Sequence, residues 1–101
     1  MSELEPFPNL DRIIHEPGRL MILAILNAVG EADFLFLIQQ TDLTRGNLSS
    51  HTTKLENAGY IEIEKSFNEK VPRTVYRLTS SGRTALSNYR DRMGDVLAAM
   101  R

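Results

Sequence analysis

The stretch that decides the fold is TRGNLSSHTTKLENA, residues 44–58. Leu48, Thr52, Leu55 and Ala58 recur in it at helical spacing, and Thr44 is a residue type that caps helix N-termini. The opposite face is polar, made mostly of short side chains and poor in acidic residues: Arg45, Asn47, Ser49, Ser50, Thr53 and Lys54. We therefore predict a helix over residues 44–58 that packs one face against a core and leaves the other for a partner.

Three further helical segments are predicted upstream of this stretch. Apolar residues at helical spacing indicate a short helix over residues 9–15. Residues 17–29 are apolar almost all round, which is typical of a helix in the middle of a core. Residues 33–41 contain the run FLFLI, which fits a buried strand as well as a helix. We prefer the helix because Asp33 can cap it and two glutamines continue it.

Downstream, the hydrophobic period changes from 3.6 to 2. The alternation in YIEIE and the β-branched and aromatic run TVYRL predict a two-stranded hairpin over residues 60–78. We expect its polar middle, residues 66–73, to form a loop that is too long for a tight turn. A last helix is predicted over residues 80–101. Its apolar residues are spaced three and four apart, which is typical of a surface that pairs with another helix.

This order of elements resembles the winged helix-turn-helix of MarR/ArsR-like transcriptional regulators, above all their short, single-domain DNA-binding members. Three segments carry the resemblance: NLSSH (47–51), KLENAGYI (54–61) and YRLTSSGR (76–83). The resemblance covers residues 9–101 and implies one domain over residues 1–101, mainly α with a small β-hairpin (α+β). In that domain the recognition helix is residues 44–58, the wing is residues 60–78 and a dimerisation helix is residues 80–101.

Two residues of the predicted recognition helix are expected to serve packing. His51 lies at the edge of the apolar stripe, where a boundary contact is a simpler role than that of a ligand or sensor. Position 52 departs from the resembling families, in which a large aliphatic residue is common. We expect the hydroxyl of Thr52 to bond to the carbonyl of Leu48 in the preceding turn.

The polar face of the predicted recognition helix has the chemistry that a major groove requires. Short polar side chains let the helix backbone approach the duplex, and a few long donors reach base edges and phosphates. A basic wing can reach the adjacent minor groove or the phosphate backbone. We predict sequence-specific binding of double-stranded DNA, with a merely solvated surface as the alternative. The predicted DNA-binding residues are Arg45, Asn47, Ser49, Ser50, Thr53, Lys54, Lys70 and Arg73.

The C-terminal helix predicts a homodimer. About 20 residues at 1.5 Å each give roughly 30 Å, comparable with the diameter of the domain, so one small monomer cannot bury the whole apolar stripe. In the alternative arrangement, Leu86 and Tyr89 pack inward and the rest is a frayed tail. The predicted dimer interface consists of Tyr89, Met93, Val96, Leu97 and Met100.

Two other functions fit the same fold, because a fold alone does not determine function. The domain could be a protein–protein interaction module whose basic wing docks an acidic partner. It could also be an effector-binding switch with a ligand at the dimer interface. The sequence shows no effector pocket, and we expect Leu35 and Phe36 to belong to the core or to the dimer interface.

Composition excludes several kinds of chemistry. The chain has no cysteine and only two histidines, and it lacks a glycine-rich phosphate loop, so we expect no enzyme, catalytic residue, metal site or cofactor. Its longest apolar stretch is too short to span a membrane, and we expect a cytoplasmic protein. The net charge of −1 argues against nucleic acid, but residues 1–43 hold two basic and seven acidic residues, and residues 44–77 six and four. Local charge governs docking, and the second region is basic.

Overall fold

Four helices and three strands make up the fold seen in a computed structural model, which describes residues 10–101. The helices are α1 (Pro17–Val29), α2 (Phe34–Thr41), α3 (Arg45–Asn57) and α4 (Ser80–Ala99). The strands are β1 (Glu31–Asp33), β2 (Ile61–Asn68) and β3 (Val71–Leu78). Residues 1–9, which the predicted domain and the start of the predicted 9–15 helix include, lie outside the described residues.

A side chain caps the N-terminus of every helix. The residue ahead of each helix accepts a hydrogen bond from a backbone N–H of the first turn, where the helix itself offers no partner. The four caps are Glu16 (from Arg19), Asp33 (from Phe36), Thr44 (from Asn47) and Thr79 (from Gly82). These local signals explain why the helices begin where they do.

The three strands form one antiparallel sheet in the order β1-β3-β2. Strand β1 is a feature that the sequence did not predict, since it is three residues long and has no alternating apolar pattern. Arg77 on the central strand bonds to Glu31 of β1 at 2.9 Å and to Glu64 of β2 at 2.7 Å. Its guanidinium therefore ties both outer strands to the central one.

The predicted N-terminal helix is wrong over the residues that the structure describes. Residues 10–15 form a turn in which one carboxylate oxygen of Asp11 accepts the backbone N–H groups of Ile13 and Ile14. These bonds resemble those of a helix cap, but the segment ends after one turn, because Glu16 precedes Pro17 and its backbone is extended (φ −155°, ψ 128°). The turn still buries Ile14 completely, so the apolar residues of this segment join the core.

The predicted long loop of the hairpin is also wrong. Strands β2 and β3 continue to Asn68 and Val71, and only Glu69 and Lys70 lie between them. Both have positive φ, 51° and 72°. Two central residues with positive φ are typical of a type I′ turn, whose twist matches that of the flanking strands. The sequence lacks the usual Asn-Gly signal for such a turn, so the turn was not predicted.

The core lies between the helices and one face of the hairpin. Helix α1 contributes three completely buried side chains, but Met21 and Val29 of the same helix are 39% and 49% exposed. The burial on all sides that its apolar pattern predicts is therefore wrong, because only one side of the helix faces the core. The other helices and the sheet pack around it. The buried apolar cluster consists of Ile14, Ile22, Leu23, Leu26, Ala32, Leu37, Leu48, Leu55, Ile61, Tyr76, Leu78 and Tyr89.

Candidate nucleic-acid interface

Helix α3 divides cleanly into an inner and an outer face. Leu48, Thr52 and Leu55 are buried against the core. The six residues predicted to bind DNA from this helix are all exposed: Arg45, Asn47, Ser49, Ser50, Thr53 and Lys54. At 100° per residue, Ser50 and Thr53 lie near the centre of the exposed face, whereas Arg45 and Asn47 lie at its two margins.

Gly46 is a residue of this face that the sequence analysis missed. It lies one helical turn before Ser50 and two turns before Thr53 on the same side of the helix, and a Cβ added to it would meet nothing within 4 Å. No intramolecular contact therefore requires a glycine, although glycine in a helix is destabilising by roughly 0.5–1 kcal/mol relative to alanine. Its missing side chain leaves the helix backbone open at the centre of the polar face. The signal for it was present, since a glycine inside a predicted helix invites a functional reason.

Helix α2 holds the N-terminal end of α3 in place. The turn between them contains Asp42 with φ of 58°, and the side chain of Thr44 caps α3 by accepting the N–H of Asn47 at 3.1 Å. The guanidinium carbon of Arg45 lies 5.4 Å from the centre of the Phe34 ring. This cation–π contact restricts Arg45 to the margin of the exposed face.

His51 fastens the side of α3 to α1. Arg19 donates to its Nδ1 at 3.3 Å, and its Nε2 lies 3.6 Å from a carboxylate oxygen of Glu16. Burial raises the pKa of Glu16, but hydrogen bonds from backbone N–H groups and the nearby His51 and Arg19 outweigh it, so the net pKa lies below the usual value. The boundary packing predicted for His51 thus takes the form of a polar contact between two helices.

Thr52 satisfies its buried hydroxyl differently from the prediction. It donates to the carbonyl of Ser49 at 3.1 Å, not to that of Leu48. Burial raises the pKa of Tyr76, and the Thr52 hydroxyl opposes that rise. The polar residue at position 52 is therefore accommodated beneath α3, because its hydroxyl is paired with the backbone of its own helix.

The wing is presented beside α3, since β2 packs directly against that helix. Lys70 and Arg73, the predicted wing contacts, are both exposed, and so is Lys65 on the first strand. Lys70 occupies the second position of the tight turn. Arg77 lies in the same strand as Arg73, but its two ion pairs with glutamates occupy its guanidinium. The cations available to a ligand are therefore at the outer end of the hairpin.

The predicted dimer residues of α4 fall into two groups. Tyr89 is only 5% exposed, and its hydroxyl lies 2.8 Å from Nδ1 of His15. It belongs to the core of its own chain, and its placement on the dimer surface was wrong. Met93 and Val96 are half-buried, whereas Leu97 and Met100 are 57% and 74% exposed.

Two further surfaces bear on the alternative functions. Leu35 and Phe36 are exposed on α2, so they are not core residues. An open groove of about 420 Å³ lies between the start of the wing and α4, and six residues line it: Tyr60, Ser80, Ser81, Thr84, Ala85 and Asn88.

Residues 10–101 lack two further kinds of feature. Among these residues, no group of three or more His, Asp or Glu side chains could hold a metal ion. In the same range, none of the helices combines the length and the apolar character needed to cross a membrane.

Comparisons with known proteins agree with this architecture. A family model described as a winged helix DNA-binding domain matches residues 19–97. An uncharacterized protein of Methanocaldococcus jannaschii is 36% identical over 78 residues, which cover 77% of this chain and 85% of the relative.

Two solved structures extend the likeness to the fold. A transcriptional regulator homologue from Pyrococcus horikoshii has a TM-score of 0.83 at 30% identity, and 89% of each chain is covered. A MarR-family transcriptional regulator from Silicibacter pomeroyi has a TM-score of 0.67 at 20% identity, over 87% of this chain and 58% of that one, which is a likeness of fold alone.

The comparisons confirm the predicted fold class, the likeness to MarR-type regulators and the expectation that the protein is not an enzyme, since the family is one of DNA-binding domains and these two neighbours are described as transcriptional regulators. The matched region runs from α1 to the end of α4 and contains both α3 and the wing. The chain therefore belongs to the family of winged helix DNA-binding domains.

Proposed function

We propose that this chain is a transcriptional regulator that binds a specific, pseudo-palindromic site on duplex DNA as a homodimer. Helix α3 lies in the major groove, and the wing lies against the neighbouring minor groove or phosphates. The observation that carries the proposal is the exposed polar face of α3, which has no acidic residue among its six predicted contacts and stands beside a basic hairpin.

The chemistry of α3 supports base reading. Asn47 can pair bidentately with adenine and Arg45 with guanine, since their side chains match the donors and acceptors of those base edges. Ser50, Thr53 and Gly46 are small, so the helix axis can come close to the groove floor. Base reading needs the small residues as well as the long donors, because a long side chain at the centre of the face would keep the helix backbone away from the bases.

The two basic margins of the interface support phosphate contact. Lys54 lies near the C-terminal end of α3, and Lys70 and Arg73 lie on the wing. Contacts to phosphates carry no sequence information, but they fix the orientation of the domain on the duplex. Cations both on the helix and on the wing suit that task.

Helix α4 supports a homodimer. Its 20 residues extend roughly 30 Å, and the described residues measure 61 Å along their longest axis, which is long for a chain of this size. Apolar side chains remain exposed at its end, in Leu97 and Met100. A second copy paired along α4 would cover them. A two-fold axis would then present two copies of α3 about one duplex turn apart, ~34–36 Å.

A salt titration tests both whether the chain binds DNA and which of its surfaces contacts the duplex. Four basic residues per protomer, Arg45, Lys54, Lys70 and Arg73, give eight per dimer, so log K should fall against log salt with a slope of about −4 to −7. Lys54→Ala combined with Arg73→Ala removes four charges per dimer and should flatten the slope by about 3 units. Arg90→Ala, on the exposed surface of α4, is the matched control and should leave the slope nearly unchanged.

Two results would contradict the proposal in different ways. If the native protein binds no duplex from a random pool at low salt, the chain is not a DNA-binding regulator, and the protein–protein interaction module takes its place. If it binds DNA but the double variant keeps the native slope, the wrong surface has been assigned.

A further inference from the structure

The outer end of the wing stands clear of the rest of the described chain. We name residues 65–73 the wing tip. All nine are exposed in the part of the chain that the structure describes. The pair Glu64↔Val75 is followed by four more cross-strand pairs before the turn. At about 3.3 Å per residue, these pairs carry the turn roughly 13 Å beyond the packed part of the sheet. The surface of the wing tip is therefore available to a partner.

An aromatic side chain occupies this exposed position. Phe67 is 75% exposed and lies opposite Pro72 in the register. In a two-residue hairpin the pair next to the turn is hydrogen-bonded, and the two types of pair alternate along the strands. Phe67↔Pro72 is therefore a non-hydrogen-bonded pair, in which the Cα atoms are about 4.5 Å apart and the side chains are close together. A residue at such a position donates no hydrogen bond to the partner strand, so Pro72, which has no N–H, removes no hydrogen bond between β2 and β3. Its rigid ring lies beside Phe67 on the same face.

The pleat directs Phe67 towards the side of α3. Ile61 and Ile63 share its face of β2, and both pack into the core against which α3 also packs. Phe67 lies on this face beyond Lys65, past the point where the core ends. Val71 is also exposed, at 62%, but it belongs to the opposite face of the hairpin.

Cations flank the apolar pair. Lys65 lies on the same face as Phe67 and Lys70 is in the turn, whereas Arg73, next to Pro72, lies on the opposite face with Val71. Glu69 is the one carboxylate of the wing tip. An apolar projection flanked by positive charge matches a narrow groove with phosphates at its rims and deoxyribose sugars along its walls. The minor groove of duplex DNA, about 6 Å wide, has these features.

We propose that Phe67, supported by Pro72, is an apolar wedge that enters the minor groove next to the major groove occupied by α3. It contacts sugars and base edges there and opens the groove locally, as inserted apolar side chains do. The wedge makes binding depend on how easily the underlying base steps deform, in addition to the bases read by α3. This inference rests on the proposed function, because it requires α3 in the adjacent groove.

The test uses the full chain and a 30-base-pair duplex that the native protein selects from a random pool. Phe67→Ala should weaken binding about 10-fold or more, the loss expected when an aromatic side chain is no longer buried. Phe67→Leu, which remains apolar, should recover most of that affinity. Val71→Ala truncates an exposed apolar residue on the other face and should bind within about 2-fold of the native protein. Thermal unfolding of all three variants should match the native curve, because both side chains are largely exposed.

A modified duplex shows whether the contact is in the minor groove. Replacing adenine by 2,6-diaminopurine under the wing adds an amino group to the minor groove and leaves the major-groove edge unchanged. The modification should weaken binding of the native protein and have a smaller effect on Phe67→Ala. Equal effects on both proteins would place Phe67 outside the groove.

The remaining outcomes separate the wedge from the proposed function. If Phe67→Ala binds like Val71→Ala while Lys54→Ala with Arg73→Ala still weakens binding, the wedge is wrong and the DNA-binding proposal stands. If Phe67→Ala instead changes the oligomeric state in sedimentation, Phe67 contacts a second copy and the wedge is wrong. If the native protein selects no duplex, both proposals fail.

Discussion

Replacing Gly82 by alanine should destabilise the domain, although the same change in most helices is stabilising. Gly82 lies in the first turn of α4, directly against the end of the α3–β2 connection. A Cβ there would run into the carbonyl oxygen of Tyr60, with the carbonyl carbon at 2.8 Å and a methyl group of Leu78 at 3.0 Å. The carbonyl is held in place because it accepts the N–H of Thr79 at 3.0 Å. The start of α4 must therefore move away from the sheet.

The size of the effect follows from two opposing terms. An alanine gains roughly 0.5–1 kcal/mol over glycine inside a helix. Overpacking costs roughly 1–3 kcal/mol and more where the obstacle is backbone, which relaxes poorly. Gly82 also donates its N–H to the capping hydroxyl of Thr79 at 2.9 Å, so a shift weakens the cap as well. We expect a net loss of about 2 kcal/mol, or about 8–16 °C in Tm for a domain of this size.

Gly94→Ala is the matched control in the same helix. Its Cβ would meet nothing within 4 Å, so only the helix-propensity term remains, and the variant should be more stable than the native protein by about 0.5–1 kcal/mol. Urea denaturation followed by circular dichroism measures both variants. Two protein concentrations separate a change in folding from a change in association. If Gly82→Ala is as stable as Gly94→Ala, the close packing of α4 on Tyr60 is refuted.

Three further predictions concern α3, the wing entrance and α4. Gly46→Ala should raise the free energy of unfolding by about 0.5–1 kcal/mol yet weaken DNA binding; unchanged binding would contradict a close approach at this position. The hydrogen bond to Asp11, with burial, raises the pKa of Tyr60 to about 12. Because the folded pKa exceeds the usual 10, this stabilisation should be fully present below about pH 10 and disappear as the pH rises through about 12. Urea midpoints against pH, measured beside Tyr60→Phe, should show this loss in the native protein and not in the variant; parallel profiles would refute it. Leu97→Asp with Met100→Asp should yield a folded monomer in sedimentation velocity, and a native protein that is itself monomeric would rule out the dimer.

The main features of the fold could be predicted because they depend on local signals. Apolar residues at a period of 3.6 mark helices, and Asp33, Thr44 and Thr79 cap their ends through bonds to residues three positions on. The ambiguous run FLFLI was resolved correctly as helix α2, since the cap and the following glutamines favour a helix. The outward direction of the polar face of α3 follows from the same periodicity.

Two differences from the prediction arise because pairing with another strand decides the local conformation. Strand β1 exists because Ala32 pairs with Tyr76, more than forty residues away, and its own three residues carry no strand pattern. The tight turn places Glu69 and Lys70 at positive φ without a glycine, so the composition of the loop gave no sign of its length. In both cases the pairing of β3 with its neighbours imposes a conformation that the local sequence does not favour.

The sequence by itself determined the order of the elements, their amphipathic faces and the basic character of the region from α3 to the wing, because these depend on residue type and spacing. Tertiary structure decided which apolar residues are used inside the chain and which remain for a partner. Tyr89 and Met100 belong to the same helical stripe, yet Tyr89 is buried beside His15 while Met100 is 74% exposed. The distinction depends on where the body of the domain ends along α4, and periodicity contains no information about that boundary. The same holds for Phe67, which shares a face of β2 with the packed residues Ile61 and Ile63 but is exposed because the hairpin projects past the core.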